Sequence, residues 1–162
     1  MAELLIIWHS RTGGSEAMAR AACEGAAAED CAVRMVAAAE ARAEDMCQAD
    51  GYLFVCPENL AALSGAMKEF LDSTYYPLLG RIEGRGYAAM ICAGSDGESA
   101  ARQLARIAKG WRLREAAEAV IVNTDAQTPE AILAPKVIGE AELQRCRDMG
   151  QALAAGLAMG VF

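Results

Sequence analysis

Near its N-terminus the chain reads Leu4-Leu-Ile-Ile-Trp-His-Ser-Arg-Thr-Gly-Gly-Ser-Glu16. Five apolar residues in a row predict a strand that is buried on both faces, which is typical of a parallel sheet covered by helices. The seven residues that follow contain three hydroxyl side chains and two glycines. They lie where a strand gives way to a helix, so this stretch predicts both a class of fold and the position of a binding site.

The rest of the chain repeats this alternation of short apolar runs and helical patterns. Strands are predicted at residues 4–8, 32–36, 51–56, 86–93 and 119–122. Apolar stripes at helical spacing predict helices around residues 18–25, 67–74, 104–111 and 146–157, and the alanine-rich stretch 37–47 predicts another. With right-handed crossovers, the pattern predicts an α/β doubly wound five-stranded parallel sheet of order 2-1-3-4-5, with helices on both faces. No linker or repeat divides the chain, so residues 1–162 are expected to form a single domain.

One connection is unusually long. Residues 123–139 separate the last predicted strand from the last helix. Thr128 and Pro129 predict a short helix within it, with Thr128 as the N-cap and Pro129 at the first helical position. Connections of this length in compact domains are often functional arms or contacts.

Charge and cysteine pattern exclude several classes of protein. Fifteen basic and 22 acidic residues give a net charge of −7, which argues against a nucleic-acid groove or a membrane-surface patch because both need clustered Lys and Arg. The apolar run at residues 4–8 is too short for a signal peptide or a membrane span. The six cysteines include no pair at metal or redox spacing, and His9 is the only histidine. We therefore expect a cytoplasmic protein with free thiols, no metal site, and no nucleic-acid or membrane partner.

The loop after the first strand has the chemistry of a phosphate site. Gly13 and Gly14 allow the backbone to approach an anion, while Ser10, Thr12 and Ser15 add hydroxyl donors at the positive end of a helix. The sequence lacks both the Gly-x-x-x-x-Gly-Lys motif and the Gly-x-Gly-x-x-Gly motif, which argues against a nucleoside-triphosphate loop and a dinucleotide fingerprint. The alternative interpretation is an ordinary strand-to-helix turn in which Ser15 caps the helix.

Two more polar turns are expected beside this loop. In the predicted strand order the sheet reverses between its first and third strands, and ligands bind beyond the carboxyl ends of strands at such a point. The third predicted strand is followed by the turn at residues 57–60, after which Ser64 is expected to cap a helix. The fourth is followed by the Gly-flanked turn at residues 94–97. The three turns should therefore surround one site.

At these residues the sequence resembles the flavodoxin-like superfamily, and within it the NAD(P)H-dependent FMN and quinone reductases. The matching stretches are His9-Ser-Arg-Thr-Gly-Gly-Ser15, Pro57-Glu-Asn-Leu-Ala-Ala-Leu-Ser-Gly-Ala-Met-Lys-Glu-Phe-Leu-Asp72 and Ala93-Gly-Ser-Asp-Gly97. The resemblance implies that residues 10–15 hold the phosphate of flavin mononucleotide (FMN), 57–60 line its ribityl chain and ring, and 94–97 meet its pyrimidine edge. The cofactor-binding residues so implied are Ser10, Arg11, Thr12, Gly13, Gly14, Ser15, Pro57, Glu58, Asn59, Leu60, Gly94, Ser95, Asp96 and Gly97.

The resemblance also implies an activity, for which no catalytic side chain is required because the flavin performs the chemistry. Loops 57–63 and 93–98 contain no aromatic residue, whereas flavodoxins that only carry electrons usually shield the ring with aromatics. An unshielded ring has room for a nicotinamide or a quinone. We therefore expect an FMN-binding oxidoreductase that passes hydride from NADPH or NADH to a quinone, flavin or similar small-molecule acceptor. The alternatives are a flavodoxin-type electron carrier and a binding protein that has lost flavin.

Two further features bear on partners. Five basic residues cluster around the predicted fourth helix, where they either solvate its outer face or recognise the extra phosphate of NADPH. They are Arg102, Arg106, Lys109, Arg112 and Arg114. The last predicted helix is apolar around most of its circumference from residue 153 onward, so it is expected to pack on the sheet or against another subunit. A homo-oligomer is predicted.

Overall fold

The computed structural model of the chain describes residues 1–162, in which one twisted sheet is covered by helices. The strands are β1 (Glu3–Trp8), β2 (Ala32–Ala37), β3 (Gly51–Asn59), β4 (Ala62–Leu63), β5 (Gly86–Ala93), β6 (Arg114–Glu115) and β7 (Val120–Asn123). The helices are α1 (Gly14–Ala26), α2 (Ala43–Gln48), α3 (Gly65–Leu78), α4 (Glu98–Gly110), α5 (Pro129–Leu133) and α6 (Glu140–Ala158). No helix is both long enough and apolar enough to cross a membrane.

The strand order confirms the predicted doubly wound topology. The main path through the sheet is β2-β1-β3-β5-β6, and these strands pair in parallel. The predicted fifth strand, at residues 119–122, corresponds to β7, which pairs with the end of β5. The short β6, which the sequence did not predict, pairs with the start of β5 along the same edge. With β6 and β7 counted as one edge strand and the short β4 set aside, the order is the expected 2-1-3-4-5.

Two predicted boundaries are wrong. The third strand does not end at residue 56 but continues to Asn59 and pairs antiparallel with β4, so residues 57–59 form one side of a hairpin rather than a free turn. The helix predicted at residues 37–47 is reduced to α2. Ala37 is paired with Trp8 at the end of β2, because pairing with the neighbouring strand overrides the intrinsic helix propensity of alanine.

Each face of the sheet is covered by its own layer of helices. On one face α2, α3 and α4 pack through side chains such as Met46, Phe70 and Leu104. On the other face α1 and α6 pack through Met18 and Leu153. The apolar C-terminal helix α6 thus packs on the sheet, which was one of the two positions expected for it. All six cysteines are free thiols, as predicted.

The helices α1 and α6 approach each other unusually closely. A Cβ atom added at Gly150 would lie 1.9 Å from the carbonyl oxygen of Ala22, and one added at Gly25 would lie 2.0 Å from that of Arg147. Both distances are far shorter than a van der Waals contact, so only glycine fits at these two positions. The two glycines let the helix backbones touch and hold α1, which follows the loop at residues 10–15, firmly on the sheet.

Candidate functional site

A cavity of about 510 Å³ lies beyond the carboxyl ends of β1, β3, β5 and β7. This is the predicted position, since the sheet order reverses between β1 and β3. Eight of the predicted cofactor-binding residues line the cavity: Arg11, Thr12, Pro57, Glu58, Asn59, Leu60, Gly94 and Ser95. The other walls come from residues that sequence reasoning did not select: Ala61, Cys92, Ala93, Thr124, Ala126, Ile132, Leu133 and Lys136. None of these side chains is aromatic.

The loop at residues 10–15 is shaped to present donors to an anion. Gly13 has φ 93°, the left-handed conformation that favours glycine, and is the N-cap residue immediately before α1. Its N–H donates to the Ser10 hydroxyl at 3.0 Å. The N–H groups of Gly14, Ser15 and Glu16, in the first turn of α1, have no acceptor within the chain. A cluster of unpaired donors therefore remains at the positive end of this helix.

Ser15 supplies a further unpaired group. Its side chain is only 2% exposed, and its hydroxyl lies near the Cys92 thiol, a weak hydrogen-bonding group, with no other hydrogen-bond partner. A buried hydroxyl without a partner costs on the order of 1–3 kcal/mol, so such groups call for an explanation. Ser15 is not the helix cap, because Gly13 occupies that position, so the capping role that the alternative interpretation gave to Ser15 is wrong. A bound anion would satisfy Ser15 together with the unpaired N–H groups beside it.

The start of α4 provides a comparison within the same molecule. Gly97 has φ 96° and begins α4 in almost the same backbone conformation that Gly13 gives to α1. There the Glu58 carboxylate accepts hydrogen bonds from the N–H groups of Gly97 (2.9 Å) and Ala100 (3.1 Å). The only acidic residue in the first turn of α1 is Glu16, which instead pairs with Arg20 at 2.8 Å. The start of α4 thus binds a carboxylate of the chain itself, whereas the start of α1 binds none.

The Glu58 contact limits which backbone donors the loop after β5 can offer to a ligand. Both Glu58 and Gly97 were predicted to face a bound ring, but the Glu58 carboxylate and the Gly97 N–H bind each other. The N–H groups of Gly94, Ser95 and Asp96 have no acceptor within the chain. These three, rather than Gly97, are the backbone donors that the loop after β5 has available.

The hairpin of β3 and β4 forms one rim of the cavity. Its two turn residues, Leu60 and Ala61, both have positive φ, at 51° and 62°. Left-handed backbone at two successive non-glycine residues is uncommon and is found most often in tight turns and functional loops. The turn leaves the Leu60 side chain fully exposed at the cavity mouth. The rim is therefore apolar but not aromatic.

Residues 123–139, which we call the arm, form another wall of the cavity. The N–H groups of Thr124 and Ala126 donate to the carbonyl oxygens of Ala93 (2.8 Å) and Gly94 (3.0 Å). The Asn123 amide donates to the carbonyl oxygen of Ser95 at 2.7 Å. The start of the arm thus fixes the loop after β5 by donating to the carbonyl groups of that loop. The N–H groups of the loop stay free.

The middle of the arm contains the predicted short helix. Thr128 caps α5 by accepting a hydrogen bond from the N–H of Ala131 at 3.2 Å. Ile132 and Leu133 line the cavity and remain 52% and 74% exposed. Beyond α5, the N–H of Lys136 donates to the Thr12 carbonyl at 2.7 Å. The unusual length of the arm was the one sequence signal that pointed to it, but length alone did not identify which residues reach the site.

His9 and Ser64 join the loop after β1 to the start of α3. The His9 Nδ1 atom and the Ser64 hydroxyl are 2.8 Å apart, and Ser64 is fully buried. Ser64 lies at the predicted N-cap position of α3, but its hydroxyl makes no capping bond, because it pairs with His9 instead. Partial burial and the nearby charge of Arg11 lower the pKa of His9. The lowered pKa favours the neutral imidazole, and its contact with Ser64 links the loop after β1 to the start of α3.

The remaining predicted residues lie around the cavity without lining it. Ser10, Gly13, Gly14 and Ser15 belong to the loop and helix start just described, and Asp96 accepts a hydrogen bond from the N–H of Glu98 at 3.2 Å. The five basic residues on and after α4 are exposed and do not line the cavity. Their positions favour the interpretation that they solvate α4.

Comparison with known proteins places the chain among flavin-related proteins. The model of the NADPH-dependent FMN reductase family matches residues 21–127. A protein named flavodoxin from Aquifex aeolicus (strain VF5) is 30% identical over 168 aligned residues, which cover 99% of this chain and 90% of that protein.

Solved structures show the same fold. A flavodoxin from the domain Archaea has a TM-score of 0.77 at 16% identity, over 96% of this chain and 99% of the other. A flavodoxin from Streptococcus pneumoniae TIGR4 has a TM-score of 0.76 at 18% identity, over 95% of this chain and 99% of the other. From its fold and the matched residues, we conclude that this chain has a flavodoxin-like fold and belongs to the NADPH-dependent FMN reductase family.

Proposed function

We propose that the chain binds FMN in the cavity and passes hydride from NADPH or NADH to a quinone, a free flavin or a similar small-molecule acceptor. Membership of the NADPH-dependent FMN reductase family supports the cofactor and the reductant. A homo-oligomer remains part of the proposal, as a prediction from the sequence.

The cluster of unpaired donors at the start of α1 is the observation on which this proposal rests. The unpaired N–H groups of Gly14, Ser15 and Glu16 and the buried Ser15 hydroxyl form a donor set that suits a phosphate monoester. Thr12 and Arg11 line the adjoining cavity. The residues present therefore fit the phosphate end of FMN, with Ser10 and Gly13 shaping the loop that would surround it.

The rest of the cavity suits a flat heterocycle. In the proposal, Pro57, Asn59 and Leu60 contact the ring from the hairpin side, and the free N–H groups of Gly94, Ser95 and Asp96 donate to its polar edge. Hydride transfer is the chemistry that a bound flavin supplies. The chain's own contribution is to hold the ring, to place fixed dipoles at its polar edge and to leave one rim apolar.

The lining of the cavity favours a small apolar acceptor. Leu60, Ile132 and Leu133 surround the mouth, all three are exposed, and no aromatic side chain lines the cavity. Apolar side chains around an open mouth suit a second planar molecule such as a quinone. This open rim is what favours a reductase over a protein that shields its ring.

The first experiment is reconstitution of the purified chain with FMN, followed by removal of free flavin and measurement of the visible spectrum. We expect a yellow protein that bleaches rapidly when NADPH or NADH is added without oxygen, and regains its colour when a quinone is then supplied. A protein that stays colourless after incubation with FMN would overturn the proposal and support a fold that has lost flavin.

A flavodoxin-type electron carrier is the second candidate. It is favoured by the relative from Aquifex aeolicus, which is named a flavodoxin. A carrier should bind FMN as the reductase does, but neither NADPH nor NADH should bleach it at a useful rate. The anaerobic bleaching rate therefore separates the two candidates in a single measurement.

A further inference from the structure

The arm carries a positive charge to the loop at residues 10–15. Lys136 lines the cavity together with Arg11 and Thr12. Its N–H donates to the Thr12 carbonyl at 2.7 Å. A Cβ atom added at Gly14 would lie 3.3 Å from the Cβ of Lys136, so the base of the lysine side chain packs directly against the start of α1.

The Lys136 ammonium group retains one free donor. Its Nζ atom donates to the carbonyl oxygens of Ile132 (2.8 Å) and Ala134 (2.7 Å), at the C-terminal end of α5. An ammonium group has three N–H donors, and no carboxylate pairs with this one. The two carbonyl contacts hold the charge in place and leave a third N–H available to an anion.

The charges around the cavity make this lysine significant. Arg11 and Lys136 are the two basic residues that line the cavity, and Glu58, its one acidic lining residue, is occupied by the N–H groups at the start of α4. The chain as a whole carries a charge of −7, which disfavours the approach of a phosphate dianion. The Lys136 side chain starts beside the unpaired donors of α1, and its charge acts on the thiol of Cys92, which also lies next to Gly14. This cation therefore opposes that repulsion locally.

We propose that Lys136 is a cofactor-binding residue that recognises the phosphate group, so that the arm and the loop at residues 10–15 form one phosphate site. This inference rests on the proposed function. It goes further, because it assigns phosphate selectivity to the arm, a segment that lies outside the matched residues 21–127 except at its first five positions.

The test compares FMN with riboflavin, which has the same ring but no phosphate. Dissociation constants are measured by quenching of flavin fluorescence for the unaltered chain, Lys136→Met and Lys136→Arg. We expect Lys136→Met to weaken FMN binding about tenfold, the loss typical of one charge-assisted hydrogen bond, and to leave riboflavin binding unchanged. Lys136→Arg should retain most of the preference for FMN.

A matched control is Lys109→Met, which removes the same charge from the exposed last turn of α4. It should leave both dissociation constants unchanged. An unchanged FMN constant in Lys136→Met, or equal weakening of FMN and riboflavin, would overturn the inference while leaving the proposed function intact. Failure of the unaltered chain to bind either flavin would instead overturn the proposed function, and this inference with it.

Discussion

Gly13 and Gly97 show how the same residue type serves two purposes at equivalent positions. Both have φ near +95°, and both begin a helix that follows a parallel strand. A Cβ atom added at Gly97 would lie 2.6 Å from the Ile121 side chain, whereas one added at Gly13 would meet nothing within 4 Å. Gly13 is therefore required for its backbone conformation alone, and its open surroundings leave room for a ligand.

Replacing Gly13 with Val tests this assignment. A β-branched residue in the left-handed region costs about 1–2 kcal/mol or more, so the loop should leave this conformation and FMN should no longer be retained. Gly80→Val is the matched control, because Gly80 also has positive φ and open surroundings but follows the C-terminal end of α3. Flavin content after gel filtration should be lost in Gly13→Val only; equal retention in both variants would contradict the assignment.

The Glu58 carboxylate accepts hydrogen bonds from the N–H groups at the start of α4, so its charge should contribute more to the free energy of unfolding than that of a neighbouring acidic residue. We expect Glu58→Gln to lower the free energy of unfolding by about 1 kcal/mol, as for loss of a charged cap. Glu98→Gln, in the exposed first turn of the same helix, should change it by only a few tenths of a kcal/mol. Urea unfolding measures both variants, and equal effects would show that the Glu58 contact contributes little.

At the scale of elements, the close contact between α1 and α6 holds in place the helix start at which the phosphate is proposed to bind. Gly25 and Gly150 let the two helices touch, and α1 begins at the loop where the phosphate is proposed to bind. The arm joins β7 to α6, so both ends of the proposed phosphate site, the loop and Lys136, are attached to this helix pair.

Gly150→Ala should therefore be strongly destabilising. Its new methyl group would lie 1.9 Å from the Ala22 carbonyl oxygen, a backbone atom that cannot move without shifting α1. Overpacking of this kind costs about 1–3 kcal/mol. Gly65→Ala, at the first residue of α3 with nothing within 4 Å, should be neutral or stabilising by up to about 1 kcal/mol. Denaturant midpoints with unchanged slopes would establish the difference, and similar midpoints would refute it.

At the scale of the whole molecule, burial of titratable groups makes stability depend on pH. Burial raises the pKa of the Cys56 thiol to about 12, that of Cys146 to about 11 and that of the Tyr52 hydroxyl to about 12. The folded chain holds these protons more tightly than the unfolded chain, whose thiols ionise near pH 9. The stabilising effect is complete below that pH and is lost as the pH rises toward these higher values.

The free energy of unfolding should thus fall by at least about 1 kcal/mol between pH 9 and pH 11. Urea titrations across this range measure it. Cys56→Ala removes one of the groups and should make the decline shallower, even though the variant is less stable at neutral pH. A free energy that stays constant to pH 11 would contradict the assignment.

The amino-acid sequence by itself determined the architecture of this protein. Apolar runs such as residues 4–7 and 86–93 are buried on both faces of the sheet, and a continuous apolar run is a local property that needs no tertiary contact to be recognised. The glycines and hydroxyl residues at positions 10–15 also pointed to the unpaired donors at the start of α1, because they follow a strand and precede a helix in every arrangement of such a sheet.

Only the tertiary structure decided which groups remain available to a ligand. Glu58 lies 39 positions before Gly97, and its carboxylate removes one helix start from the site while the start of α1 stays open. Lys136 lies more than 120 positions after Thr12, yet the arm brings it onto the same loop. Hydrogen bonds between residues so distant depend on how the chain folds back on itself, and no local pattern of residue types specifies them.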